Sequence, residues 1–363
     1  MSMPTSTGPG QKPGEVTLRE IFSQPSLWPT TLQRVQEAKL PAPDANAATI
    51  VTGSGTSAYA ADAIARAWPG PHAIPSGDLL LASKDDLFTA MPALSDGGLL
   101  VSVARSGDSP ESVGVVKRLR RLLPEVRHMA ITCNASGALA NFAGVESIVL
   151  DPRTNDRSLV MTSSFTNLVL AGLCLTHAVK LSGAMNQLCE RAEETLPQLS
   201  TMAEEIAQGR TERVAILASG DLRPLAAEIS LKILEMTAGA VTPIAETFLG
   251  LRHGPMSFLR ADTLVLCWMS SDPSRRRYEE DLIEELRSKG LGRLIIVGGQ
   301  GSVPALAPTF PDRLRVPFEA PFGQLLGYHL SLQHGLNPDD PSPGGVITRV
   351  VRGFRLHEDY NKN

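Results

Sequence analysis

The chain has 363 residues, 42% of them hydrophobic and 20% charged, with a net charge of −4; this is the make-up of a soluble globular protein of two or three domains, each able to bury a core. The acidic balance, with no basic block beyond KRLRR, gives no reason to expect nucleic acid as a partner, and the four cysteines lack the spacing of a zinc site or a disulfide framework. No apolar run reaches membrane-spanning length, and MSMPTSTGPGQKPG lacks the apolar core of a signal peptide, so a cytoplasmic protein with a flexible N-terminal tail and no membrane partner is expected.

In chain order, TLREIFSQPSLWPTTLQRVQEAKL reads as one or two short helices followed by the linker PAPDANA. ATIVTGSG is a strand ending in glycines, with the helical SAYAADAIARAW behind it. GGLLVSVA followed by VGVVKRLRRLL repeats that arrangement, and HMAITCNASGALA begins a third unit. Strands alternating with helices across short Gly/Ser turns predict an α/β fold with open parallel sheets covered on both faces.

The stretches SSFTNLVLAGLCLTHAVKLSG and QLCERAEETLPQLSTMAEEIAQ read as long connecting helices. Beyond them the pattern returns. RVAILASGDLRPLAAEISLKIL echoes ATIVTGSGTSAYAADAIARA, DTLVLCWMSSDPS echoes GGLLVSVARSGDS, and RLIIVGGQGS echoes HMAITCNASG, at a spacing of roughly 164 residues that indicates two homologous domains. The expected division is residues 1–40 for tail and N-terminal helices, 41–195 for the first domain and 196–363 for the second.

One stretch poses a question of its own. In SVARSGDSPES, Ser109 is a good N-cap and Pro110 suits the first helical position, which makes an ordinary strand-to-helix turn. The same residues also make an anion site, because hydroxyls, free N–H groups and a close-approach glycine gather at a helix start. TGSGTS falls at the same carboxyl edge of the sheet, where ligand crevices of parallel sheets lie. A dinucleotide is not indicated, since Ala58 stands where GxGxxG would need its last glycine.

The set GSGTS, SVARSGDSPES, AITCNASG, MTSS and LRHGP, with the closing TRVVRG, resembles the tandem sugar-isomerase (SIS) domain proteins, and among them the galactosamine-6-phosphate deaminase/isomerase branch. That resemblance implies two flavodoxin-like αβα subdomains, a homodimer with sites near the subunit interface, and a sugar-phosphate substrate handled without metal or organic cofactor. It implies that Arg105, Ser106, Gly107 and Ser109 hold the phosphate and that Gly55, Thr56 and Ser57 line the sugar. Related synthases carry a serine where this chain has Ala104, so one hydroxyl is missing and Arg105 is a candidate to supply charge instead. They also use a lysine in the C-terminal tail, where this chain offers only Arg349; Ser163 is a further substrate-binding candidate, as are Asn155, Asp156 and Arg157.

Glu228, Lys232 and Glu235 recur at i, i+4 and i+7 on an otherwise apolar helix. Such a stripe is either a solvated face or a set of buried charges with a task. The resemblance places Glu235 at the family's proton-shuttling carboxylate, with Lys232 orienting it or holding the open-chain sugar, and matches His253 of LRHGP to the histidine that opens the sugar ring from the neighbouring subunit; an imidazole suits that proton transfer. The expected reaction converts galactosamine 6-phosphate to tagatose 6-phosphate and ammonia. Glucosamine-6-phosphate deaminase, fructosamine-6-phosphate deglycase and a non-catalytic phosphosugar-binding regulator remain as alternatives.

Overall fold

The structure is a computed structural model that describes residues 12–209, 211–342, 345–349 and 356–357. The N-terminal tail up to residue 11 and residues 350–353 of the closing TRVVRG lie outside the described residues.

In chain order the elements are α1 (Glu15–Ala38), β1 (Thr49–Thr52), α2 (Thr56–Ala67), β2 (His72–Ala73), α3 (Ser76–Leu81), α4 (Lys84–Ala90), β3 (Gly98–Ala104), α5 (Pro110–Leu122), β4 (Val126–Thr132), β5 (Val145–Val149) and α6 (Ser163–Ala207). Then follow β6 (Arg213–Leu217), α7 (Arg223–Met236), β7 (Thr242–Glu246), α8 (Phe248–Leu251), β8 (Leu264–Trp268), α9 (Pro273–Ser288), β9 (Arg293–Val297) and α10 (Val316–Gln333). The described residues form two compact units, drawn in one case from the ranges Ser26–Asn155, Ser163–Met185 and Thr348–Asn363 and in the other from Met1–Pro25, Asp156–Thr162 and Asn186–Ile347.

The first unit carries a five-stranded sheet in the order β2-β1-β3-β4-β5, and the second a four-stranded sheet in the order β7-β6-β8-β9. Every pairing is parallel, as the strand–helix alternation predicts, and the first order is that of flavodoxin-like folds. On one face of the five-stranded sheet, Ile50, Leu100, Ala104 and Ala130 pack with Leu79, Val115 and Leu119. Its counterpart in the four-stranded unit joins Ala215, Leu217, Val265 and Cys267 to Phe248, Leu282 and Leu286.

The repeat extends to the opposite face of each sheet. A Cβ on Gly172 of α6 would lie 2.5 Å from Ile64 of α2, and one on Gly323 of α10 would lie 2.4 Å from Ile229 of α7. Each unit therefore brings two helices together over the same glycine–isoleucine contact, which no larger residue could occupy without shifting the packing. The opening half of α6, expected to be a connector, does in the first unit what α10 does in the second.

Two expectations change. The segment after the tail is one helix of 24 residues, despite Pro25 and Pro29. Each proline deprives the carbonyl four residues earlier of its helical N–H, and both orphans are filled. Gln24 Nε2 donates to the Ile21 carbonyl at 3.0 Å, and Cys189 Sγ donates to the Pro25 carbonyl at 3.2 Å. The second change is that α6 contains a stretch long and apolar enough to cross a membrane by length and composition, 56% of it buried inside the protein. Neutral Thr, Ser and Gly interrupt the apolar run without breaking its average, and the burial is that of a core helix. Its residue His177 has non-helical angles, φ −125° and ψ 23°, and its ring bonds the Ala67 carbonyl at 2.9 Å.

Candidate functional site

In the five-stranded unit, β1 and β3 are neighbours with Thr52 opposite Ser102, so the loops that follow them share one sheet edge. Gly55 has φ +56° and precedes α2, whose first two residues, Thr56 and Ser57, are each 5% exposed. Gly53 is obligatory, because a Cβ there would lie 2.3 Å from the Ser57 carbonyl. The Ser54 hydroxyl is buried without a hydrogen-bond partner among the described residues. A buried hydroxyl in that condition marks a place for a ligand or water, and Ser54 was not singled out by sequence.

The loop from Arg105 to Ser109 turns because Gly107 takes φ +69°, a left-handed conformation that favours glycine. Three successive carbonyls are fastened from the end of β4 and the segment that follows it. Thr132 Oγ1 donates to the Arg105 carbonyl at 3.3 Å, Asn134 Nδ2 to the Ser106 carbonyl at 2.9 Å, and the Leu139 N–H to the Gly107 carbonyl at 3.0 Å. Asp108 is turned aside as well, accepting the Ala138 N–H at 2.8 Å. The N–H groups of Ser106 and Gly107 meet no acceptor among the described residues. Ser109 is the N-cap of α5, accepting the Ser112 N–H, with Pro110 in the first turn. The loop is both a well-capped turn and a set of uncommitted donors of the kind that binds anions.

Arg105 is 7% exposed and donates to the Arg349 carbonyl at 3.0 Å, while the Arg349 guanidinium donates to Asn155 Oδ1 at 2.5 Å. These three sequence candidates are thus joined to one another. Ser163 is fully buried and receives Asn167 Nδ2 on its hydroxyl at 3.2 Å.

In the four-stranded unit, α10 covers α7 and buries Glu228 and Lys232 completely. The Lys232 ammonium lies 3.6 Å from Glu228 Oε1 and donates to Glu235 Oε2; the Glu235 side chain remains 32% exposed. A buried ammonium between two carboxylates compensates charges that would otherwise be costly, and it fixes the rotamer of Glu235, the carboxylate of the two that remains open to solvent. His253 is exposed in the turn after α8, which Thr247 caps and the Arg252–Glu285 ion pair, at 2.7 Å, braces. Neither a hydrogen bond nor an ion pair joins His253 to Glu235 among the described residues. Asp156 is committed internally, accepting the Thr162 N–H and hydroxyl at 2.9 and 3.0 Å, and the Arg157 N–H donates to Glu20.

A parallel α/β sheet with a donor-rich loop after its central strand can receive an anion at its carboxyl edge, and solved structures of this architecture include sugar-phosphate isomerases. The crystal structure of tagatose-6-phosphate ketose/aldose isomerase from Escherichia coli superposes with a TM-score of 0.78 at 30% identity, covering 96% of this chain and 99% of that one. No protein-family model matches the chain. The D-galactosamine-6-phosphate deaminase AgaS of Shewanella sp. (strain ANA-3) is 33% identical over 94% of this chain and 91% of its own length. The protein of the same name from Escherichia coli is 33% identical over 95% of this chain and 96% of its own length. The chain belongs to this AgaS family of the tandem sugar-isomerase-domain proteins, and is an enzyme of the phosphosugar isomerase/deaminase class.

Proposed function

We propose that the chain converts galactosamine 6-phosphate and water to tagatose 6-phosphate and ammonia, a hydrolytic deamination reached through aldose–ketose isomerisation. The near-full-length likeness to D-galactosamine-6-phosphate deaminases carries this reading. In it the sugar phosphate is received by Ser106, Gly107 and Ser109, and Gly55, Thr56 and Ser57 contact the sugar. His253 moves a proton between the anomeric hydroxyl and the ring oxygen. In the open chain, the Glu235 carboxylate removes the proton from C2, giving an enolamine, and returns it to C1, leaving an imine at C2. Water adds to that carbon and ammonia departs, so the C2=O of the ketose replaces C2=NH. Lys232 holds Glu235 in place and Arg349 helps keep the tail on the phosphate loop.

His253 serves a second copy of the chain in this proposal, which makes the working form a homodimer; its exposure, with that of Leu234 and Leu249 at 45% and 46%, supports such a contact. The protein is proposed to work in the cytoplasm, with no metal or organic cofactor and with neither nucleic acid nor membrane as a partner. The test is ammonia release from galactosamine 6-phosphate beside glucosamine 6-phosphate, with the ketose identified. Preference for the galacto sugar with tagatose 6-phosphate formed is the expected result; no ammonia from either sugar overturns the proposal.

A further inference from the structure

The loop between β8 and α9 occupies, in the four-stranded unit, the topological place that the Arg105–Ser109 loop occupies in the five-stranded unit. It has the same grammar: serines after the strand, then an N-cap at Asp272 and Pro273 in the first turn. Its donors, however, are taken. The Ser270 hydroxyl donates to Asp312 Oδ2 and the Ser271 N–H to Asp312 Oδ1 at 2.7 Å. Arg275 Nη1 reaches Asp312 Oδ2 at 3.2 Å, and Arg315 Nη1 reaches Asp312 Oδ1 at 3.0 Å. The Ser270 N–H is held separately by Glu279 Oε2 at 2.8 Å.

One carboxylate thus receives a hydroxyl, a backbone N–H and two guanidinium groups, the donor set a bound oxyanion would receive. The start of α9 is not what binds it, since Asp272 takes the N–H groups of Ser274 and Arg275 itself. The cradle is instead built of buried polar side chains: Ser270 is 0%, Arg315 2% and Asp312 4% exposed. Burial alone would raise the Asp312 carboxyl, but the hydrogen bonds from Ser270 and Ser271 and the charge of Arg315 hold it below the usual carboxylate range, so the occupant is an anion.

We propose that Asp312 is an internal substitute for phosphate, which closes the second repeat's anion cradle and leaves the chain one phosphosugar site rather than two. The proposal rests on the reading that the Arg105–Ser109 loop receives phosphate, in that it explains why the other copy does not. The occupant is supplied from the segment before α10, so the same strand–turn–helix scaffold is a ligand site in one unit and a structural joint in the other.

The test is titration of the full-length protein with inorganic phosphate, followed by ³¹P NMR and calorimetry. Wild type is expected to bind one phosphate per chain and Asp312→Ser two, because the smaller side chain vacates the cradle while Arg315 keeps its partner Glu319 at 3.4 Å. The triple variant Ser106→Ala, Ser109→Ala, Asp312→Ser should retain only the new site. A folded Asp312→Ser protein that still binds one phosphate per chain overturns the inference. If this variant does not fold in phosphate-free buffer, phosphate must restore its melting transition in a concentration-dependent way, and no recovery overturns the inference equally. Unchanged phosphate binding by Ser106→Ala, Ser109→Ala would instead defeat the reading of the first loop, whatever Asp312→Ser does.

Discussion

The Gly107 turn acts as a donor array because its acceptors are occupied from behind. Thr132, Asn134 and Leu139 hold three consecutive carbonyls, which leaves the opposite edge of the backbone as N–H groups alone. Ser106→Ala should therefore raise KM for the phosphosugar about tenfold to a hundredfold, the loss of one hydrogen bond to a charged group, with an unaltered melting temperature. Ser109→Ala should raise KM too but also lower stability by about 1 kcal/mol, because its hydroxyl is the cap of α5. Steady-state kinetics beside thermal melting separates the two. Glu235→Gln should lower kcat at least about a hundredfold while isothermal titration still detects substrate binding; retained turnover would remove Glu235 from its proposed role.

At the scale of the element, α1 shows how a sequence that breaks a local rule is mended by its surroundings. Gln24 fills the carbonyl orphaned by Pro25 and also donates to Gln324 Oε1 at 2.7 Å, while Gln324 Nε2 donates to the Thr162 carbonyl at 3.1 Å. Gln24→Leu leaves two buried acceptors without this donor and should cost about 2 to 4 kcal/mol in a urea titration, far more than an exposed helical position would. The start of the same helix is capped across sequence, with Asp339 accepting the N–H groups of Val16 and Thr17. The reading of one or two short helices followed from counting prolines. What it lacked was Cys189 and Asp339, residues far along the chain whose positions no local window contains.

For the whole molecule, buried titratable groups set how stability responds to pH. Burial, reinforced by Asp156, raises the Glu20 carboxyl from 4.5 to about 7, and burial raises Glu279 from 4.5 to about 7. For both, the folded state holds protons that the unfolded state releases, so their contribution is full below about pH 4.5 and is lost as pH rises through 7. His128 acts in the opposite sense. Burial, with Arg120 nearby, lowers it from 6.5 to about 4, so its contribution is lost as pH falls from 6.5 towards 4. The melting temperature should accordingly fall between pH 6 and pH 8, and Glu20→Gln should flatten that fall. An equally steep fall in the variant would show that Glu20 does not titrate in this window.

The fold class was legible because its causes are local and repeated. Alternation of apolar strands with helices, glycines at turns and a cap at Ser109 each act within a few residues, and a period near 164 residues displays two copies side by side. The Glu228, Lys232 and Glu235 spacing was legible for the same reason. That Lys232 is sealed between two carboxylates was not, because α10, about ninety residues further on, provides the cover. Nor could sequence tell the open loop from the closed one, since both carry serines, an aspartate and a proline. The difference is Asp312, 42 residues from Ser270 in the chain and in hydrogen-bond contact with it in the fold. Local chemistry determined which backbone shapes the chain adopts; long-range packing decided which of their donors remain available, because a hydrogen bond is won by whichever acceptor the tertiary structure delivers.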